Sequence, residues 1–410
     1  MSEFDKIQNI LHRTNPSVNA AINPVSSHSR ITKCLLSGTS RWQQILVESF
    51  ATNQNVGKII LTKESANSVY HSLANRADTI IIRNSPSSKS YHPFSGHNDI
   101  EIAQMLKKLS NLGTRNADLN NLIRHFSKLF TLDSNLIEAI SNNIEGLTLE
   151  LIEERLEILV RRKIISEREA EQRMSVFRSL ISSFSVLEDL LADLIEFSRV
   201  SNLSLGFRTS YSVNTALSNR KNLVFVFDGD LNSASGYDKT LLTLLSSDIE
   251  LSQNIRNIPY ALIIDDLSYL YIKPFQALLD RGNVFVVLNL ETETDYCANK
   301  MYWQFISTKF ERYMIFRHTN DTARNYWSNF FGGARVIEYN YSNSNTAITK
   351  YPMFSTLTGL FGTEQHSDVV GFHYVDRNIF QEYDIRNLHE KEFLLFEKNS
   401  NQISQQTLNV

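Results

Sequence analysis

The sequence is poor in the residues on which several common kinds of site depend. It has two cysteines, Cys34 and Cys297, and only 14 glycines in 410 residues. Two distant cysteines give neither a disulfide framework nor a zinc-binding spacing, which favours a reducing compartment. The formal net charge is -3, so bulk binding of DNA or membrane through overall charge is not indicated. No run approaches the ~20 apolar residues that span a bilayer, and the N-terminus lacks a signal-peptide pattern. We therefore expect a soluble intracellular protein.

Hydrophobic periodicity divides the chain into a strand-and-helix core and an inserted helical segment. Short apolar runs near residues 31–37, 58–62 and 79–82 alternate with helical patterns, which favours βαβ units and a parallel sheet. From residue 98 to 204 the apolar spacing changes to a period near 3.6, which predicts an all-α domain inserted after the third strand. Strand patterns then resume at Leu223–Phe227, Ala261–Ile264, Asn283–Leu288, Tyr313–Phe316 and Ala334–Glu338. The predicted organisation is an N-terminal arm (1–30), a core in two parts (31–97 and 205–397), the all-α domain (98–204) and a disordered tail (398–410).

The turn after the first strand is where such a core would bind a phosphate. A working phosphate loop reads G-x-x-x-x-G-K-[ST]. Its glycines let backbone N–H groups converge on the phosphates, its lysine neutralises their charge, and its Ser or Thr hydroxyl ligates magnesium. Counting from Gly38, the second glycine is replaced by Gln43, the lysine by Gln44 and the hydroxyl residue by Ile45. Arg41 is the one cation in the turn that could compensate. An ordinary strand-to-helix turn is therefore the favoured interpretation.

Pairs of acidic residues follow two of the predicted strands. Asp265 and Asp266 end the apolar run at Ala261–Ile264, and Asp228 and Asp230 end the preceding strand. Such acids can hold a metal ion and polarise a water in phosphoryl chemistry, or simply form a solvated acidic turn. Because parallel strands end at one edge of a sheet, the four carboxylates could also serve a metal-dependent nuclease.

The order of the segments is itself a pattern. Lys58–Glu64 is a strand running into a Lys-Glu pair, Tyr91–Phe94 closes a proline-containing loop after the third strand, and Ile263–Leu267 carries the paired acids. With the helical insertion between them, this order resembles the conjugative coupling proteins of type IV secretion systems, the TraG/TraD type (VirD-like). These are RecA-like relatives of FtsK and HerA. The resemblance covers about residues 31–397. It implies an α/β fold in which a RecA-like, mostly parallel sheet is flanked by helices, with the all-α domain inserted after the third strand.

The resemblance also implies roles for particular residues. Asp265 matches the metal-side aspartate of the family's Walker B segment, and Asp266 replaces the water-activating glutamate. Arg281 matches an arginine that faces a neighbouring subunit's nucleotide, and Lys63 follows the second strand as the family's lysine does. The glutamine that usually ends the next strand is missing, and Asn289 lies in its vicinity. Because these groups stabilise the same transition state, their joint loss indicates a relaxed need for hydrolysis.

Three functions follow from these observations. The leading hypothesis is a pseudo-ATPase component of a type IV secretion or conjugative DNA-transfer system, which recruits secretion-system proteins, coupling subunits or a DNA–protein substrate. It expects no cofactor, no metal site, and a cytoplasmic location that leaves room for peripheral contact with the inner face of the cell membrane. An oligomer is compatible with it.

The first alternative is an active DNA-translocating motor that uses ATP and Mg²⁺ through an atypical phosphate loop. The second is the metal-dependent nuclease. For the motor-type scaffold we further expect the first strand to lie directly beside the strand that bears Asp265 and Asp266.

Overall fold

The computed structural model divides the chain into two compact units. One comprises Met1–Arg317 together with His389–Val410, and the other comprises His318–Leu388. The predicted N-terminal arm lies outside the residues that the structure describes. Those residues are 33–52, 56–63, 73–74, 76–83, 89, 91–109, 117–200, 211–227, 236–252, 258–265, 279–280, 284–290, 306, 308–345, 366–398 and 402–408.

The first unit is built on a mixed sheet of nine described strands. In chain order they are β1 (Lys33–Ser37), β2 (Lys58–Lys63), β3 (Thr79–Arg83), β4 (Asn222–Phe227), β5 (Tyr260–Ile264), β6 (Val284–Leu290), β7 (Arg312–Ile315), β10 (Glu392–Glu397) and β11 (Gln402–Thr407); β8 and β9 belong to the second unit. Their order across the sheet is β11-β10-β7-β1-β6-β5-β2-β4-β3. The pairings from β7 to β3 are all parallel, so these strands end at one common edge.

The central strands form because both of their faces can be buried. Every residue of β4, β5 and β6 is buried, which matches the nearly continuous apolar runs expected in a parallel sheet covered on two sides. Helix α1 (Arg41–Thr52) packs Leu46, Val47 and Phe50 into the same apolar cluster as the inward residues of the sheet. The predicted α/β class with a mostly parallel sheet is confirmed.

The order of the strands corrects one prediction. β1 pairs with β6 on one side and β7 on the other, whereas β5 pairs with β2 and β6. The first strand therefore does not lie beside the strand that leads to Asp265, because β6 is inserted between them. Both strands still end at the same edge, one strand apart.

The segment between β3 and β4 is helical, as predicted. It contains α2 (Asp99–Leu109), α3 (Ala117–Leu132), α4 (Leu136–Asn142), α5 (Leu149–Arg161), α6 (Glu167–Ser179) and α7 (Phe184–Val200), followed by α8 (Val213–Ser218). Side-chain caps fix where two of these helices begin, since Thr148 accepts a hydrogen bond from Leu151 N and Ser166 accepts one from Glu169 N. Helix α9 (Gly236–Leu251) then leads to β5. Among the described residues, no helix combines the length and apolar character that crossing a bilayer requires.

The second unit has its own small sheet. It comprises α10 (Asp321–Phe330), the antiparallel pair β8 (Gly333–Asn345) and β9 (His366–Asn378), and α11 (Glu382–Asn387). The predicted strand at Ala334–Glu338 therefore exists, but it pairs with β9 rather than joining the main sheet.

The C-terminal tail contains a strand where we predicted disorder. Gln402–Thr407 forms β11, which pairs antiparallel with β10 over six residue pairs. Its polar composition suggested a disordered segment, but an edge strand at this position needs only one neighbour to satisfy its backbone. The prediction of disorder for 398–410 is wrong for these six residues.

Candidate functional site

The turn between β1 and α1 is short and its backbone is already engaged. Only Gly38, Thr39 and Ser40 separate the strand from the helix. Gly38 N donates to Leu290 O at 3.3 Å, and Thr39 N donates to Arg317 O at 3.0 Å. A phosphate loop keeps backbone N–H groups free to converge on its ligand. Here the two N–H groups donate to the carbonyl of Leu290, which ends β6, and to that of Arg317, which follows β7.

The side chain of Gln43 fills the space beneath this turn. Gln43 is 2% exposed, and its Nε2 donates to Asn289 Oδ1 at 2.7 Å and to Leu290 O at 3.1 Å. A Cβ placed on Gly38 would lie 2.9 Å from Gln43 Oε1 and 2.6 Å from Phe316 Cβ, and Gly38 has φ +148°. Glycine is therefore required at position 38 for close packing and backbone conformation.

Asp265 lies at the same edge of the sheet as this turn, and β6 separates its strand, β5, from β1. Its backbone N donates to Leu61 O at 2.9 Å, which continues the β5–β2 pairing beyond the end of β5. Thr62 Oγ1 donates to one carboxylate oxygen at 2.8 Å, and Asn289 Nδ2 donates to the other at 2.9 Å. Asp265 thus receives a side-chain hydrogen bond from each of the two flanking strands.

Together these contacts form a continuous polar chain along the sheet edge. It runs from Gln43 through Asn289 and Asp265 to Thr62, and so links α1, β6, β2 and the residue after β5. Asn289 is fully buried and uses its amide both as acceptor from Gln43 and as donor to Asp265. A buried asparagine satisfied on both sides fixes the relative positions of the groups it joins.

Glu48 on α1 adds a second carboxylate to this region. Burial raises its pKa, the nearby Gln44 amide lowers it, the Asp265 carboxylate raises it and Arg41 lowers it, with a raised pKa as the result. The charges of Asp265 and of Arg41 both act on Glu48, so an acid and a cation of α1 lie close enough to interact electrostatically.

The residues predicted from the sequence are distributed over this edge. Arg41 is the exposed first residue of α1, Gln44 and Ile45 are partly buried in its first turns, and Lys63 is the partly buried last residue of β2. Two other predicted residues, Asp266 and Arg281, lie outside the described residues, as do Asp228 and Asp230. Within the described ranges no group of three or more possible metal ligands occurs. The nuclease hypothesis stays a prediction, since three of its four acids are not described.

Sequence reasoning missed what Gln43 and Glu48 do. Gln43 was counted as an absent glycine, although its side chain reaches Asn289, 246 positions away in the chain. Glu48 lies four residues after Gln44, so the helical repeat placed both on one face and could have drawn attention to it.

These features define the fold: a mostly parallel α/β sheet with an all-α insertion, which solved conjugative coupling proteins share. TrwB is among the solved structures that the chain resembles. The bacterial conjugative coupling protein TrwBdeltaN70, in a trigonal form with sulphate, aligns with a TM-score of 0.56 at 15% identity, over 92% of this chain and 85% of that one. The plasmid coupling protein TrwB in complex with the ATP analogue ADPNP aligns with a TM-score of 0.55 at 14% identity, over 93% and 86% of the two chains.

The comparisons at the level of sequence found no match. No protein-family model matches the chain, and no curated protein sequence matches it. At these levels of identity the structural likeness establishes the fold.

Proposed function

We propose that this protein is a coupling-protein-like component of a bacterial type IV secretion or conjugative DNA-transfer system, and that it works without hydrolysing ATP. The TrwB fold across more than nine-tenths of the chain supports the first part. The order of the motifs from Lys58–Glu64 to Ile263–Leu267 supports it as well. We place the protein in the cytoplasm, with peripheral contact at the inner face of the cell membrane.

The closed turn at Gly38–Ser40 is the observation that carries the second part. TrwB has been solved with ADPNP, with a GTP analogue, and with ADP and Mg²⁺. In this chain the residues at the corresponding turn do not fit a triphosphate. Two backbone N–H groups are bound to carbonyl oxygens, and the side chain of Gln43 occupies the space beneath Gly38. Gln44 carries no charge in place of the loop's lysine, and Ile45 has no hydroxyl for magnesium. No hydrolytic step is therefore assigned to the chain.

In this proposal the protein acts through surfaces. The helical insertion, which the described residues place between β3 and β4, is the part assigned to contact secretion-system proteins, other coupling subunits or a DNA–protein substrate. Assembly with such subunits would not depend on a nucleotide held between them.

Isothermal titration calorimetry tests the proposal. ATP titrated into the protein with and without Mg²⁺ should give no saturable heat, and turnover should stay at background with or without single-stranded DNA. A second arm uses the variant Gln43→Gly/Gln44→Lys/Ile45→Thr, which restores G-x-x-x-x-G-K-T from Gly38 onward. Binding by this variant and not by the wild type would support these three residues together as the reason that the wild-type turn does not bind ATP. Tight, magnesium-dependent binding by the wild type would reject the proposal.

One observation favours the active motor as a second candidate. Asp265 lies at the carboxyl edge one strand from β1, held by Thr62 and Asn289, where a metal-side aspartate could serve a nucleotide bound at a rearranged turn. This candidate predicts ATP turnover that falls to background in Asp265→Ala. Equal, background-level turnover in the wild type and the variant would remove it.

A further inference from the structure

A groove runs along one open face of the α5–α6 pair in the helical insertion. Its volume is about 470 Å³, and all of its lining residues belong to these two helices. The floor is apolar: Leu156 and Met174 are buried, while Val160 and Ala170 are partly buried. The helices run antiparallel, since a five-residue turn joins them and Arg178 at the end of α6 contacts Glu153 at the start of α5 at 3.7 Å.

The rim of this groove is acidic. Four glutamates and two arginines line it, which leaves two negative charges in excess. Arg178 pairs with Glu153 at 3.7 Å at one end of the groove, and Arg161 pairs with Glu157 at 3.4 Å toward the turn. Both pairs are exposed and therefore weak, and Glu157 and Glu171 flank the middle of the floor. All six charged side chains belong to exposed residues. An acidic rim repels a nucleic-acid backbone and attracts Lys and Arg side chains.

We propose that this groove binds a basic amphipathic helix of a partner protein. From Glu153 to Arg161 the groove spans nine residues of α5, or about 12 Å at the helical rise, which accommodates roughly two turns of a docked helix. Two apolar side chains spaced i, i+4 would contact Leu156 and Met174, and Lys or Arg side chains beside them would meet Glu157 and Glu171. The inference rests on this face alone and is independent of the nucleotide question.

Fluorescence anisotropy with the full-length protein tests it. The probe is a synthetic helical peptide of about 14 residues, with Leu at i, i+4 spacing and Lys at the flanking positions, compared with the same peptide carrying Glu in place of Lys. The lysine peptide should bind and the glutamate peptide should not. Glu157→Lys/Glu171→Lys should weaken the lysine peptide roughly tenfold, the product of two rim charges, and binding should fall with added salt.

Matched variants separate this site from general charge effects. Glu154→Lys changes the same charge on α5 at an exposed position outside the groove, and it should leave binding within about twofold. The double variant should in turn acquire affinity for the glutamate peptide, which also shows that it is folded. The proposal is overturned if neither peptide binds the wild type or if Glu154→Lys weakens binding as much as the double variant. Duplex DNA competing with the peptide would overturn it too, as would a self-association lost in the double variant.

Discussion

Replacing Asn289 with leucine should destabilise the protein more than an ordinary buried substitution of similar volume. Asn289 is fully buried and joins Gln43 to Asp265. The change removes one hydrogen bond between neutral amides, worth about 0.5–1.5 kcal/mol, and one to a carboxylate, worth about 1.5–3 kcal/mol. Asp265 is partly exposed, so water replaces part of the second bond. We expect the free energy of unfolding to fall by about 2–4 kcal/mol.

Urea denaturation followed by circular dichroism measures this loss, with the midpoint lowered and the slope unchanged. A double-mutant cycle with Gln43→Leu tests the network itself. Residues that share a hydrogen bond couple by about 0.5–3 kcal/mol, so the double variant should lose less than the two single losses combined. Ser328→Ala removes a partly buried hydrogen bond to Phe380 O, and both of these residues belong to the second unit. This matched control should be additive with Asn289→Leu within about 0.5 kcal/mol. A loss below 0.5 kcal/mol for Asn289→Leu, or additivity with Gln43→Leu, would refute the reasoning.

Three further predictions concern single residues. Gly38→Ala should lower the free energy of unfolding by about 1–3 kcal/mol, because the added Cβ meets Phe316 Cβ at 2.6 Å; an unchanged urea midpoint would contradict this. Burial lowers the pKa of Lys58 to about 8, so between pH 8 and 10.5 this residue binds more protons in the unfolded chain, and its own contribution to stability rises with pH. Comparing the wild type with Lys58→Met across this window checks it, since the stability of the wild type relative to the variant should rise. Burial opposes a charged His97, but hydrogen bonds to Asp248 and then Glu101 raise its pKa overall. Its stabilisation is therefore complete below pH 6.5 and lost as pH rises through the raised value, and His97→Gln should abolish that slope.

The strands were predictable because a strand that is buried on both faces consists almost entirely of apolar residues. The apolar runs at 58–62 and 223–227 differ by one residue from β2 and β4. The order of the strands was not predictable in the same way. A strand buried on both faces reads alike wherever it lies in a parallel sheet, so nothing in the run at 284–290 indicated that it separates β1 from β5.

The sequence was enough to identify which phosphate-loop residues are missing from the site, but not which side-chain contacts replace them. Counting from Gly38 identified Gln43, Gln44 and Ile45 as departures from a phosphate loop. That Gln43 fills the vacated space depends on β6 lying next to β1, which brings Asn289 within 2.7 Å of its amide. Long-range side-chain contacts of this kind require the strand order first.

The tail shows the limit of composition as a guide. The segment Gln402–Thr407 is polar, and polar segments with few aromatic residues are typical of disorder. The exposed edge of β10 supplies the backbone partners that stabilise it as a strand. Sequence alone did not reveal that this edge was available.

The central claim is that the turn after β1 is closed to a triphosphate, and a crystal structure of the protein grown with excess ATP and Mg²⁺ tests it most directly. We predict that Gly38 N and Thr39 N remain bonded to Leu290 O and Arg317 O, with Gln43 Nε2 on Asn289 and no ligand against the turn. ATP and magnesium bound against residues 38–45, with Gln43 displaced, would contradict the account.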